Sequence, residues 1–184
     1  MLKVLIVEDE QYIAQGLSML IDWESCGYEI AGTVYNGQDA IDFLQDTQVD
    51  LILSDIKMPV MDGITLLKRI REEEISEAFF VILSGYGDFA YAQQAIKYKC
   101  TDYILKPIQR QQLYSLLEKV STLYKKQKRK EIEQKKMGRA YFVRYIQALL
   151  LGRGDEEALV YVNKKLSFSD RIRYIRSEER RVGK

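Results

Sequence analysis

The 184-residue chain contains no histidine, and this absence excludes several classes of function. Without histidine, the chain cannot build a Ser-His-Asp or Cys-His catalytic site, and it cannot bind zinc through imidazole. It also cannot carry a phosphohistidine of its own.

Cysteine is almost as scarce, since only Cys26 and Cys100 occur, far apart and without metal-site spacing. We expect two reduced thiols in a cytoplasmic protein. Lys+Arg (28) and Asp+Glu (27) nearly balance, so the overall charge gives no reason to expect a nucleic acid or an anionic membrane. The N-terminal segment, Met-Leu-Lys and a short apolar run, predicts neither a signal peptide nor a membrane span, so no membrane partner is expected.

Five short apolar segments alternate with amphipathic helical segments over residues 1–122. The predicted strands are residues 2–7, 28–34, 51–55, 79–83 and 102–105. Parallel strands need crossover connections, so this alternation predicts an α/β fold, in which helices cover both faces of a parallel sheet. Because such crossovers are right-handed, the carboxyl ends of all five strands should lie along one edge.

Four of the five predicted strands deliver polar or charged residues to that edge. These residues are Glu8 and Asp9 after the first strand, Asp55 after the third, Ser84 after the fourth and Lys106 after the fifth. Each close pair of carboxylates repels by roughly 4 kcal/mol at an effective dielectric constant of about 20, which favours raised pKa values or a bound hard cation. Mg²⁺ suits Glu8, Asp9 and Asp55 as ligands, with the backbone carbonyl of Lys57 as a fourth.

A metal in this position would allow a phosphate ester or a phosphohistidine to approach Asp55. Asp55 is then the candidate nucleophile that forms an acyl phosphate, Lys106 supplies a cation to the phosphoryl oxygens, and Ser84 supplies a hydroxyl donor. The alternative is a buried ion pair between Asp55 and Lys106 in an inert sheet. It does not explain why two further carboxylates share the site, because uncompensated buried charge is costly.

Four motifs together resemble the receiver domain of two-component response regulators. They are Val-Glu8-Asp9-Glu, Ser-Asp55-Ile-Lys-Met-Pro59-Val-Met-Asp-Gly63, Leu-Ser84-Gly and Lys106-Pro107. The resemblance implies a flavodoxin-like, doubly wound sheet of five strands in the order 2-1-3-4-5, followed here by a helical extension. It also implies a cis peptide bond before Pro107 that positions Lys106, and an aromatic switch residue, Tyr103, that moves with Ser84 on phosphorylation.

The function that the resemblance implies is that of a phosphoacceptor switch rather than an enzyme, apart from self-catalysed phosphorylation and dephosphorylation. The implied partners are a sensor histidine kinase and a second copy of the chain on phosphorylation. Two alternatives remain, a Mg²⁺-dependent aspartyl phosphatase and a stand-alone receiver that acts by protein interaction. Aspartyl phosphatases of the haloacid-dehalogenase type typically carry a second Asp where this chain has Lys57, which disfavours the first alternative.

Three further segments narrow the resemblance. Ile21-Asp-Trp-Glu-Ser-Cys-Gly-Tyr28, Ser84-Gly-Tyr-Gly-Asp-Phe-Ala-Tyr91 and Ala95-Ile-Lys-Tyr98 resemble regulators whose output is an AraC-type DNA-binding domain. Such an output contains a pair of helix-turn-helix units, and nothing after Met137 shows a recognition-helix pattern. We therefore expect DNA binding and transcription control only through an output domain that this chain lacks.

The remaining residues predict a helical extension. Residues 123–139 are expected to form a basic helical connector, for which a solvated face is favoured over DNA binding because no aromatic residues interleave the charges. Residues 140–175 are expected to begin a truncated intermediate region, with helices at 140–151 and 155–166 and a strand from 171 to 175. Residues 176–184 resemble a translated sequencing adapter, and we expect them to be non-native.

Overall fold

The computed structural model describes residues 1–85 and 89–166, and it divides the chain into two compact units, Met1–Leu123 and Tyr124–Lys184. The first unit contains the strands β1 (Leu2–Val7), β2 (Tyr28–Val34), β3 (Leu51–Asp55), β4 (Phe79–Ser84) and β5 (Asp102–Leu105). Its helices are α1 (Gln11–Met19), α2 (Gly37–Asp46), α3 (Gly63–Glu72), α4 (Phe89–Lys97) and the first part of α5 (Arg110–Leu150). The helix α6 (Glu156–Leu166) belongs to the second unit.

The five strands form one parallel sheet in the order β2-β1-β3-β4-β5, which confirms the predicted fold class and strand order. The pairing register aligns the strand ends. Val7 pairs with Ser54, so the residues that follow, Glu8 and Asp55, are neighbours at the carboxyl edge. Ser84 pairs with Leu105, which places Ser84 next to the start of the segment that carries Lys106.

Alternate residues of the central strands bury their side chains on opposite faces of the sheet. On one face, Val4 and Ile6 of β1 pack in a cluster with residues of α1 and α5, including Leu17 and Leu117. On the other face, Leu5 and Val7 pack with residues of α2, α3 and α4. Because both faces are covered, residues 4–7 of β1 and residues 51–53 of β3 are continuous apolar runs in the sequence.

Polar side chains fix the beginnings of two helices near the carboxyl edge. The Asn36 side chain accepts a hydrogen bond from the backbone N–H of Asp39 at the start of α2. The Asp62 side chain does the same for the N–H of Thr65 at the start of α3. These N-caps satisfy backbone donors that have no partner within the helix. The sequence also predicts Asp88 as the N-cap of the helix after β4, and this residue lies outside the described residues.

The prediction of a separate helix at residues 140–151 is wrong. A single helix of 41 residues, α5, runs from Arg110 to Leu150 and includes most of that segment. The sequence between residues 123 and 139 contains no proline, and most of its residues have high helix propensity, so Gly138 alone does not end the helix. The strand predicted at 171–175 and the tail at 176–184 fall outside the described part of the chain.

In the second unit, α6 packs against the later turns of α5. Ala158 and Val162 of α6 are buried, and the Tyr161 hydroxyl donates a hydrogen bond to the Gly138 carbonyl at 3.1 Å. The Asp155 side chain accepts from the Ala158 N–H at 2.8 Å and caps α6. None of the helices in the described ranges combines the length and the apolar character that crossing a bilayer requires.

Candidate functional site

The carboxyl edge of the sheet brings together most of the residues that the sequence selected. Glu8 is fully buried, and Asp55 and Ser84 are 9% and 3% exposed. The side chain of Lys106, which follows β5, is 16% exposed. Four charged or hydroxyl-bearing side chains from four strands are thus largely withdrawn from water at one place.

Lys106 connects two of the carboxylates. Its Nζ atom donates to Glu8 Oε2 at 2.7 Å and to Asp55 Oδ2 at 2.9 Å. Burial alone lowers the pKa of the Lys106 ammonium, but the hydrogen bonds to Glu8 and Asp55 outweigh it, so the pKa is raised above its ordinary value. Lys106 therefore remains positively charged in this site. The ion pair between Asp55 and Lys106 is present, but as one part of a larger cluster.

Glu8 has an acceptor that the described residues do not satisfy. Its Oε1 atom is buried and accepts no hydrogen bond from any of them. Burial raises the pKa of the Glu8 carboxyl group, the hydrogen bond from Lys106 opposes that rise, and the nearby charges of Asp55 and Asp9 add to it. A buried carboxylate oxygen without a donor is costly, so this atom is suited to a cation that would satisfy it.

The three carboxylates form a candidate metal centre. Glu8, Asp9 and Asp55 each offer one oxygen, and these oxygens all lie within 4.8 Å of one another. Three negative groups face one ammonium, so the cluster has an excess of negative charge. Several carboxylate oxygens around one point are the ligand type that Mg²⁺ prefers, and the unsatisfied Oε1 of Glu8 supports this choice. The residues present therefore fit a hard divalent cation.

A cleft of about 220 Å³ opens above these groups. Its lining consists of Asp9, Glu10, Ile13, Asp55, Ile56, Lys57, Ser84, Gly85, Tyr91 and Lys106. The volume equals that of roughly seven water molecules and is below the range of about 300–1,000 Å³ typical of organic ligands. The cleft suits an ion and a small oxyanion rather than a nucleotide.

The cleft includes residues that sequence reasoning did not select, and three selected residues, Glu8, Tyr103 and Pro107, do not line it. Glu10, Ile13 and Tyr91 line it; the only sequence signal for Glu10 was its place directly after Asp9. Lys57 lines the cleft with an exposed side chain, and the role of its carbonyl as a ligand stays a prediction. Tyr103 is half-buried and packs at the edge of the core instead. The Lys106–Pro107 peptide bond is cis.

Local hydrogen bonds hold the backbone around Asp55. Asp55 Oδ1 accepts from the Ile56 N–H at 2.6 Å, and the Ser54 hydroxyl donates to the Asp55 carbonyl at 2.8 Å. Gly63 N–H donates to the Ile56 carbonyl at 2.9 Å and brings the start of α3 against the end of β3. A Cβ atom at position 63 would collide with the Asp55 carbonyl oxygen. The glycine is therefore required by close approach, a reason that the sequence did not reveal.

Comparisons with known proteins agree on one family. The model of the response regulator receiver domain matches residues 4–118. The chain is 39% identical over 127 residues to the uncharacterized transcriptional regulatory protein YesN of Bacillus subtilis, covering 69% of this chain and 34% of YesN. It is 35% identical over 128 residues to the transcriptional regulatory protein HptR of Staphylococcus aureus, covering 69% of this chain and 50% of HptR. The chain thus spans half or less of the length of these relatives.

A solved structure gives the same result. The receiver domain of AraT, a response regulator from Geobacillus stearothermophilus, superimposes with a TM-score of 0.62 at 36% sequence identity. The superposition covers 68% of this chain and 98% of that domain. The similarity therefore concerns the first unit, in which the cleft and the three carboxylates lie.

Proposed function

Because the chain belongs to the response regulator receiver family, we propose that Asp55 accepts a phosphoryl group from the phosphohistidine of a sensor histidine kinase. The observation that supports this most is the position of Asp55 in a small cleft, held by Lys106 and next to two further carboxylates. The donor histidine lies outside this chain, which contains none.

In the transfer, a carboxylate oxygen of Asp55 attacks the phosphorus atom while the bond from phosphorus to the donor imidazole nitrogen breaks. The imidazole leaves with the electron pair of that bond, and Asp55 becomes an acyl phosphate. The Ile56 N–H orients the Asp55 carboxylate before attack. Lys106 places a permanent cation beside the incoming phosphoryl oxygens, and the Ser84 hydroxyl supplies a donor from another wall of the same cleft.

Glu8, Asp9 and Asp55 would hold Mg²⁺, with the backbone carbonyl of Lys57 as a fourth ligand. When bound, Mg²⁺ offsets the negative charge of the carboxylates and of the phosphoryl oxygens. Lys106 alone cannot do this, because a single ammonium faces three carboxylates. Receiver domains generally bind this ion, and the unsatisfied oxygen of Glu8 supports its assignment here.

The phosphorylated state is proposed to act as a switch in the cytoplasm, not as an enzyme with turnover. Phosphorylation would draw Ser84 inward, and Tyr103, which is partly buried against the core, would follow. The change would alter the surface formed by α4, β5 and α5 and favour a homodimer. The output would be transcription control, which the names of the transcriptional regulatory proteins YesN and HptR support. The sequence resemblance points to an AraC-type DNA-binding domain as the means.

Incubation of the chain with acetyl phosphate and Mg²⁺ tests the proposal. We expect one base-labile phosphate per chain, because Asp55 is bonded to Lys106 and also lines the cleft, whereas Glu8, the other carboxylate bonded to Lys106, does not line it. Omitting Mg²⁺, or adding EDTA, should reduce incorporation at least tenfold, and intact-mass spectrometry measures it. Incorporation at the same rate without a divalent cation, or none with it, would contradict the proposal.

Mg²⁺ affinity is expected to decrease as the pH is lowered, starting at higher pH than for an ordinary glutamate. Protons and Mg²⁺ compete for Glu8, and burial raises the pKa of this carboxyl group, so Glu8 is protonated earlier on acidification. Isothermal titration calorimetry between about pH 7.5 and pH 5.5 measures the effect. Glu8→Gln should bind Mg²⁺ more weakly and with a flatter pH dependence; an identical pH profile in this variant would exclude Glu8 as the cause.

A further inference from the structure

The charges of the chain are segregated along its length. Residues 1–123 contain 10 Lys and Arg against 19 Asp and Glu, whereas residues 124–175, which leave out the tail expected to be non-native, contain 14 against 6. The near-zero net charge of the chain is therefore the sum of an acidic part and a strongly basic part. Charge asymmetry of this kind indicates an anionic partner for the basic part.

The structure places many of these cations on one side of α5. Between residues 125 and 139 the helix has eight Lys and Arg side chains, all exposed. With about 100° of rotation per residue, six of them fall within an arc of about 120° and a length of about 21 Å. We call these six the basic face: Lys125, Lys128, Arg129, Lys135, Lys136 and Arg139. Lys126 and Lys130 lie outside this arc.

Most of the basic face has no carboxylate to balance it. Lys128 forms an ion pair with Glu131 at 3.1 Å. Within the ranges that the structure describes, none of the other five cations lies within 4.0 Å of a carboxylate oxygen. In α3, by contrast, Lys68 and Arg69 each pair with a glutamate one turn later. The cations of the basic face repel one another, so a partner with closely spaced negative charges would be bound favourably.

The same segment lacks what a lipid surface would require. A helix that lies on a membrane needs a broad apolar face opposite its charges. The side of α5 away from the basic face carries Gln134, Lys126 and Lys130 over these turns, and the single exposed Met137 does not make it a broad apolar face. A duplex, in comparison, presents one phosphate every 3.4 Å along each strand, or roughly six over the length of the basic face.

We propose that the basic face of α5 binds the phosphate backbone of double-stranded DNA without regard to sequence. The expectation of a merely solvated face rested on the absence of aromatic residues among the charges. It did not consider how the cations are distributed around the helix. The contact would add affinity to any DNA-binding domain elsewhere in a longer protein, and it uses only residues of this chain. It is independent of Asp55, so Asp55→Asn should bind DNA as the native chain does.

Fluorescence anisotropy with a labelled duplex of about 20 base pairs and arbitrary sequence tests the proposal. The native chain should bind with a dissociation constant on the order of 10⁻⁴–10⁻⁶ M, and log affinity should decrease with log salt with a slope of about −3 to −5. Replacing Arg129→Gln and Lys136→Gln together should weaken binding at least tenfold and make the slope shallower by roughly 2. Glutamine retains helix propensity, and circular dichroism verifies the helix content.

Lys126→Gln with Lys130→Gln is the matched control, because it removes the same charge from α5 outside the basic face. It should weaken binding less than threefold. Equal losses in the two double variants would show that only net charge matters and would overturn the proposal, as would no binding by the native chain at low salt. Tighter binding to vesicles containing phosphatidylserine than to the duplex would overturn it in favour of a membrane partner. Arg129→Glu with Lys136→Glu, which reverses both charges, should abolish binding.

Discussion

Replacing Asp55 by asparagine is expected to abolish phosphate incorporation from acetyl phosphate. The amide is nearly the same size and can still accept the hydrogen bond that the Ile56 N–H gives to Asp55 Oδ1. It lacks the negative charge and the nucleophilic oxygen that an acyl phosphate requires. Lys106 keeps its hydrogen bond to Glu8, so the site should remain folded. Intact-mass spectrometry should therefore show only unmodified chain under conditions that phosphorylate the native protein.

Asp62→Asn is the matched control for this experiment. Asp62 lies in the same connection between β3 and α3, and its side chain caps α3. Asparagine is an equally good N-cap, so the fold should be kept and phosphorylation should continue at the native rate. If Asp55→Asn accepts base-labile phosphate to the native extent, another residue is the acceptor and the proposed function must be assigned differently.

The strand ends could be predicted because each depends on a local pattern combined with a general rule of parallel sheets. Strands built on apolar runs end at Val7, Asp55 and Leu105, and right-handed crossovers place those ends at one edge. The crossover rule does not say which residues of neighbouring strands lie side by side, and the pairing register gives this information. It pairs Val7 with Ser54 and so sets Glu8 beside Asp55.

The division of roles between Glu8 and Asp9 could not be predicted from the sequence. Both follow β1, and the sequence treats them as equivalent ligands. In the structure, Glu8 is fully buried and bonded to Lys106, whereas Asp9 is half-buried and lines the cleft. This difference depends on which face of the sheet each side chain occupies and on the reach of Lys106, neither of which is encoded in a single segment.

The extent of α5 was also misjudged for a physical reason. The apolar pattern of residues 113–124 fades into a charged segment before apolar residues resume near Tyr141, which suggests two helices to a reading based on periodicity. A helix without proline continues through a polar segment when its residues have high propensity, so the pattern changes while the backbone does not. The basic face lies wholly within residues 123–139, which the sequence already predicts to be helical, so the misplaced helix boundary does not affect its position.

Replacing Gly63 by alanine is expected to lower the free energy of unfolding by about 2–3 kcal/mol. The added Cβ atom would collide with the Asp55 carbonyl oxygen and would lie 2.9 Å from the Ser54 hydroxyl oxygen. The backbone cannot easily retreat, because Gly63 N–H is bonded to the Ile56 carbonyl and α3 is capped by the residue before it. Urea denaturation monitored by circular dichroism measures the change.

Gly16→Ala separates this collision from the general effect of adding a methyl group to a helix. A Cβ atom at Gly16, in α1, would meet nothing within 4 Å among the described residues, so the change should raise the free energy of unfolding by roughly 0.5–1 kcal/mol. The two substitutions should therefore change the free energy of unfolding in opposite directions. Because the collision at position 63 displaces the backbone of the proposed phosphoacceptor, Gly63→Ala should also slow phosphorylation, and Gly16→Ala should not. Equal stability of the native chain and Gly63→Ala would mean that α3 can move away from β3 at little cost, and the positioning of Asp55 by this contact would then have to be abandoned.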